Sequence, residues 1–306
     1  MGLLVVSVPP QYQGQHEEAD TLIAYHAATA MSGDMTVRSS DTDVMVILLP
    51  VAARHPHRII LDYGSGNDRR YINVSEIAHV LEDTEAGTTE AVVGFHALTG
   101  CDYMSAFYRK GKQKPFEIMQ KGYVKALQSL CGDEMDVLGL ERFVCHVHGN
   151  KKAKCINEAR AEAFFKMVGA GKFSEQVRKI NCASLTPCKR TLLQHLNRAH
   201  YVSLMWTSAS KANPTAGINP INYGWQMDAT GNYTFQCFLG PVLPEELKKP
   251  SSTAPGTEES EEDPYECDHD VEEYVHGYPD LPIDTLSPDT DGEPWSGDSG
   301  SESETD

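Results

Sequence analysis

VVGFHALTGCDYMSAFYRKGKQKPFEIMQK, residues 92 to 121, is the stretch around which this chain is organised. Val92 to Thr99 reads as an apolar helix that Gly100 ends. Asp102 follows in a Gly-Cys-Asp-Tyr turn, and then the cations Arg109, Lys110, Lys112 and Lys114 gather around Gly111. Pro115 to Lys121 predicts a second helix. One carboxylate is thus set beside a Gly-centred cationic turn. Carboxylates hold hard metal ions, and Lys or Arg around a Gly loop suits phosphate oxygens. Two earlier acidic clusters, Glu17-Glu18-Ala19-Asp20 and Asp41-Thr42-Asp43, are placed to complete such a site.

Working outward toward the N-terminus, Leu3 to Val8 predicts a short strand. From Glu17 a helix is expected, with Ala19, Leu22, Ile23, Ala27 and Ala30 on one face, stopped by Ser32-Gly33-Asp34. Met35 to Arg38 reads as a strand and Val44 to Ala53 as a helix. Arg58 to Tyr63 and Arg70 to Val74 read as strands, and Ser75 to Leu81 as a helix capped by Ser75. Strands alternating with helices predict an α/β layer with a mostly parallel sheet. Ligand groups in such sheets collect at the carboxyl ends of strands, where Asp41 and Asp43 would sit. Toward the C-terminus helices dominate, with Asn157 to Val168 and Arg190 to Ser208 the clearest. Leu193, Leu196, His200 and Leu204 share one face of the second. Asn213 to Gly224 is turn-rich, and Trp225 to Gly240 holds a hairpin signal around Asp228-Ala229-Thr230-Gly231. Trp206 and Trp225 read as core.

The chain of 306 residues has a formal net charge of −18. Residues 251–306 hold 19 of its 44 Asp and Glu and no Lys or Arg, which leaves 25 acidic against 26 basic residues elsewhere. The charge therefore belongs to the tail, and it does not exclude a nucleic-acid partner for the near-neutral remainder. From about residue 247 onward the composition of Pro, Ser, Thr, Gly and acids predicts disorder. The eight cysteines show no paired framework, which suits reduced thiols in an intracellular protein, nuclear or cytoplasmic. No stretch predicts a membrane span or secretory signal. The expected organisation is 1–130 as an α/β domain, 131–246 as a helical extension and 247–306 as the acidic tail.

Order and spacing of the acidic clusters carry a resemblance. Glu-Ala-Asp opening a helix, strand then Asp-Thr-Asp, and helix then Gly-Cys-Asp-Tyr before a basic Gly turn resemble the flap-endonuclease (XPG-like) branch of the PIN-domain nucleases. HEEADTLIAYHA, SSDTDV and GFHALTGCDYMSAF look closer still to animal proteins linked to mobile elements that carry a PIN-like domain. LLQHLNRAHY and INYGW resemble the region that follows it. The resemblance implies a PIN-like fold and a nuclease acting on DNA or RNA through Mg²⁺ or Mn²⁺. It makes Glu18, Asp20, Asp41, Asp43 and Asp102 metal ligands, with Asp41, Asp43 and Asp102 catalytic. It also makes Arg109, Lys110, Gly111, Lys112 and Lys114 a backbone-gripping hairpin. Two ions about 4 Å apart clamp both oxygens of an in-line displacement. The sequence departs from the family in two places. Only 15 residues, none acidic, precede His16, so the first part of the PIN fold is expected to be missing and the domain N-terminally truncated. The hairpin Tyr108-Arg109-Lys110-Gly111-Lys112 has one Gly where the family has Gly-x-Gly. A binding module that has lost catalysis is the alternative from another class.

Glu18 and Asp20 would converge only if Glu18 lies before the first helical turn, because residues two apart on a helix point about 200° apart. Cys182, Cys188, His195 and His200 have a gap too short for a zinc finger. Cys145, His146, His148 and Cys155 form a second loose cluster, and Cys145 with Val147 fits an alternating strand equally well.

Overall fold

Thr88–Thr99 folds into a helix of which every residue but Glu90 is buried. It is α4 in chain order, and the described chain packs around it. The computed structural model describes residues 15–31, 33–169 and 180–240, all within the unit Met1–Ser252. The strand expected at Leu3 to Val8, Ser32 in the expected helix stop and the tail from 247 fall outside the described residues.

Ahead of α4 come α1 (Ala19–Thr29), β1 (Met35–Arg38), α2 (Thr42–Ala52), β2 (Ile59–Tyr63), β3 (Arg70–Asn73) and α3 (Val74–Thr84). After it come α5 (Gln113–Gln120), α6 (Val124–Gln128), α7 (Val137–Val147), α8 (Ile156–Val168), α9 (Lys189–Thr207) and the hairpin β4 (Trp225–Met227) and β5 (Tyr233–Phe235). Helices α2, α3, α6 and α9 all pack on α4. Gly94 makes the close approach of α6 possible: a Cβ there would lie 2.3 Å from the Leu127 carbonyl oxygen of α6.

The three-stranded sheet runs β1-β2-β3. β1 pairs parallel with β2, Met35 opposite Ile59, and β2 pairs antiparallel with β3, Ile60 opposite Asn73. The expected mostly parallel sheet is therefore a mixed one. The reason is loop length: Gly64 to Arg69 is too short for the crossover that parallel strands need. Arg38 and Arg69 both reach the buried Asp62, at 3.0 and 2.7 Å, and tie the strands together at one end.

Several boundaries differ from the sequence reading for local reasons. Asn73, not Ser75, caps α3, its side chain accepting from Glu76 N at 3.2 Å. Ser75 turns inward and accepts from Ile59 N at 3.0 Å. The buried face of α1 is Thr21, Ala24, Tyr25 and Ala27, which shares only Ala27 with the predicted face. Cys145 and Val147 lie on helix α7, not on a strand. One continuous apolar core runs from Ala24 to Trp225 and takes in α7 and α9, so the helices beyond residue 130 share it.

Candidate active site: a carboxylate cluster beside a basic turn

Glu18 is the extended N-cap of α1, with φ −126 and ψ 156. It lies before the first turn, as its cooperation with Asp20 requires. Its carboxylate is held from two sides: the Tyr103 hydroxyl donates to Oε2 at 2.5 Å and Trp206 Nε1 donates to Oε1 at 3.3 Å. Burial raises its pKa nonetheless, and the charges of Asp43 and Asp102 add to the rise. Asp20 is pushed up to about 6, first by burial and then by the charges of Asp41, Glu18, Asp43 and Asp102. Carboxylates from three separate segments thus act on Glu18 and Asp20.

Asp41 and Asp43 stand at the carboxyl end of β1, where α2 begins. Asp41 is exposed and caps α2, its Oδ1 accepting from Asp43 N at 2.8 Å. Asp43 is buried, 8% exposed, with Oδ1 2.7 Å from His96 Nε2. The other ring nitrogen of His96 is 3.0 Å from Lys112 Nζ. An ammonium group only donates, so Nδ1 accepts and the proton on Nε2 is directed at Asp43. Lys112, His96 and Asp43 form one chain of donors ending on a carboxylate.

This is a correction for Lys112. The sequence reading grouped it with the phosphate-facing cations, but its ammonium turns inward. It also donates to the carbonyls of His96 at 3.2 Å and Gly100 at 2.6 Å. A cation satisfying the last carbonyls of α4 also complements the negative end of that helix. Burial lowers its pKa to about 8, with the charges of Cys101 and Asp43 opposing the fall.

Asp102 is exposed, in a turn closed by Cys101 N donating to Met104 O at 3.1 Å and Met104 N donating to Cys101 O at 2.9 Å. Gly100, with φ 116, ends α4 and directs the chain into that turn. In the basic turn, Arg109 has φ 55 and Gly111 φ 54. Arg109 therefore takes a left-handed backbone conformation that favours glycine. Its guanidinium lies 5.2 Å from the Tyr108 ring centroid. Burial, and then the charge of Lys114, lowers the pKa of Lys110. Arg109, Gly111 and Lys114 are exposed and Lys110 half-buried.

The cluster is an all-oxygen donor set, the chemistry of a hard divalent cation. Among the described residues, no three His, Cys, Asp or Glu side chains gather tightly enough to hold one ion between them. Neither zinc spacing is assembled. His195 Nε2 lies 2.9 Å from Leu98 O, and His200 Nε2 lies 2.9 Å from Gly132 O.

Three residues of the site were not singled out for it in the sequence: His96, Tyr103 and Trp206. The available signal for His96 was a lone polar side chain within the apolar run of α4. Tyr103 directly follows Asp102. Trp206 was read as core and is buried, 1% exposed, yet its indole N–H serves Glu18.

The fold and the cluster together define a small-sheet α/β protein with an acidic site at the start of α1 and α2 and the end of α4. No family model, curated protein or solved structure matches the chain. No helix among the described residues is long and apolar enough to cross a membrane.

Proposed function

We propose that the chain carries a nuclease-type domain that cleaves phosphodiesters with a divalent metal, at the cluster of Glu18, Asp20, Asp41, Asp43 and Asp102. The observation that carries this reading is the placement of acids from three segments: Glu18 and Asp20 at the start of α1, Asp41 and Asp43 at the start of α2 and Asp102 just past the end of α4, close enough that burial and the other four charges raise the pKa of Asp20. Acids from separate segments are gathered where their charges oppose the ionisation of Glu18 and Asp20. A divalent cation would offset that cost. Mg²⁺ or Mn²⁺ held by these residues would polarise a phosphate oxygen and acidify a bound water.

The chain's own residues do the positioning. His96 aims its N–H at Oδ1 of Asp43 and holds that carboxylate in place. Tyr103 and Trp206 fix Glu18. Arg109, Lys110 and Lys114 supply positive charge for a DNA or RNA backbone, while Lys112 acts from inside through His96.

The test is calorimetric titration of Mn²⁺ and Mg²⁺, alongside cleavage of branched and single-stranded DNA and of RNA. Saturable binding weakened at least tenfold by Asp20→Asn and by Asp102→Asn, with Mn²⁺-dependent cleavage lost in Asp102→Asn, is the expected result. A second reading, a nucleic-acid-binding module without catalysis, is favoured by one observation. Both Glu18 oxygens and one each of Asp41 and Asp43 are already engaged within the chain. Nucleic-acid binding that ignores both metals, without cleavage, would decide for that second reading.

A further inference from the structure

Apart from the carboxylates, a cavity of about 370 Å³ lies between the Ser105–Tyr108 segment, α9 and the strand β5. Its lining includes Arg160, Arg198, His148 and His195, and no Asp or Glu is among its described lining residues. Arg198 is only 5% exposed. Its guanidinium donates to the carbonyls of Gly224 at 3.1 Å and Gln236 at 2.9 Å and lies 4.8 Å from the Phe235 ring centroid. Those contacts satisfy N–H groups without neutralising the charge. A guanidinium does not shed its proton in a protein, and a buried charge without a counter-ion is costly. Arg160, on the same cavity, donates to Thr186 O. The buried Nε2 of His148 has no hydrogen-bond partner among the described residues.

Part of the remaining wall is aromatic, beside Leu185, Pro187, Thr191 and the thiols of Cys182 and Cys237. The Phe107 ring packs 5.6 Å from His148 and 5.3 Å from His195, centroid to centroid. Tyr108 and Phe235 complete it at the exposed rim. Two guanidiniums match phosphate oxygens in geometry as well as charge, and flat rings offer faces on which bases stack. The volume is at the small end of the range of about 300–1,000 Å³ typical of ligand sites, which suits a single nucleotide and not a duplex.

We propose that this cavity binds a phosphate ester carrying a planar ring, a nucleotide, with the phosphate at Arg160 and Arg198 and the ring against the aromatic wall. The ligand is either a free nucleotide or the phosphorylated end of a strand. The site shares none of the five clustered carboxylates and does not rest on the nuclease reading.

The experiment is equilibrium binding to the full chain in EDTA, so that failure of metal binding or cleavage leaves its outcome untouched. The probes are AMP, adenosine, and short oligonucleotides with and without a terminal phosphate. AMP should bind at least tenfold more tightly than adenosine. Arg160→Gln and Phe235→Ala, both away from the deepest packing, should each weaken AMP at least fivefold with circular dichroism unchanged. Preference for a phosphorylated oligonucleotide over AMP identifies the strand end, and the reverse identifies the free nucleotide. Equal affinity for AMP and adenosine, no binding of AMP at millimolar concentration, or AMP binding indifferent to both substitutions overturns the proposal.

Discussion

Asp20 holds its proton more tightly in the folded chain than an ordinary aspartate does, with a pKa raised from 3.8 to about 6. Between those values the folded protein binds a proton that the unfolded chain has released. The stability this contributes is complete below the unfolded value and is lost as pH rises through the folded one. At neutral pH the ionised Asp20 therefore weakens the fold. Asp20→Asn is expected to raise unfolding stability there by on the order of 1 kcal/mol, after allowance for solvent screening of a half-exposed carboxylate. Below the ordinary carboxylate range the gain should vanish. Urea unfolding at the two pH values measures it, and an equal gain at both would show that the substitution acts through packing or helix propensity instead. Lys112 shows the opposite sign of the same physics. Its depressed pKa means that the unfolded chain takes up the proton first, so its burial costs least in alkaline solution. The ammonium stays in place because the α4 carbonyls and the His96 ring receive it.

At the scale of elements, α4 is the part on which the rest depends, and Gly94 is its point of contact with α6. An alanine would improve helix propensity by about 1 kcal/mol. Its Cβ, however, would meet a backbone carbonyl at 2.3 Å, which no side-chain rotation relieves. Gly94→Ala should therefore be net destabilising by about 1–3 kcal/mol, the usual cost of overpacking. Urea melts should show a lower midpoint with an unchanged slope, and a gain in stability would mean that α6 yields easily. The end of this helix was legible in the sequence because Gly100 is a local signal. The strand ends and Asp41-Thr42-Asp43 were legible for the same reason. The antiparallel turn of β3 was missed because alternation alone does not give strand direction. The buried face of α1 was misplaced, since its buried set includes Thr21 and Tyr25, which an aliphatic count omits. In α7, Cys145 and Val147 formed too short a window to separate a period of 2 from one of 3.6. His96 and Asp43 are 53 residues apart, and no local pattern pairs them. Neither does any local pattern bring Trp206 to Glu18 across 188 residues.

For the whole molecule the governing quantity is where the charge lies. The net −18 of the chain comes from residues 251–306, with 19 acids and no Lys or Arg. Arg109, Lys110 and Lys114 remain as cations of the basic turn after the inward turn of Lys112. Three cations offer a nucleic-acid backbone modest attraction, on the order of one released counterion per phosphate neutralised. A polyanionic segment in the same chain lowers the local potential felt by an approaching phosphate backbone, without any specific contact. Ser299, Ser301 and Ser303 lie within this acidic stretch, and phosphorylation would add roughly −1.5 to −2 charges at each. Deleting 253–306 should therefore tighten binding to DNA or RNA, by roughly tenfold at low ionic strength. The gain should shrink toward nothing as the Debye length falls to about 8 Å near physiological salt. Fluorescence anisotropy at two salt concentrations reads both numbers. A gain that persists undiminished at the higher salt would reveal a specific contact in place of long-range repulsion. An unchanged affinity at low salt would mean that the acidic segment takes no part in nucleic-acid binding, since a nearly neutral body that binds a phosphate backbone should respond to losing this charge.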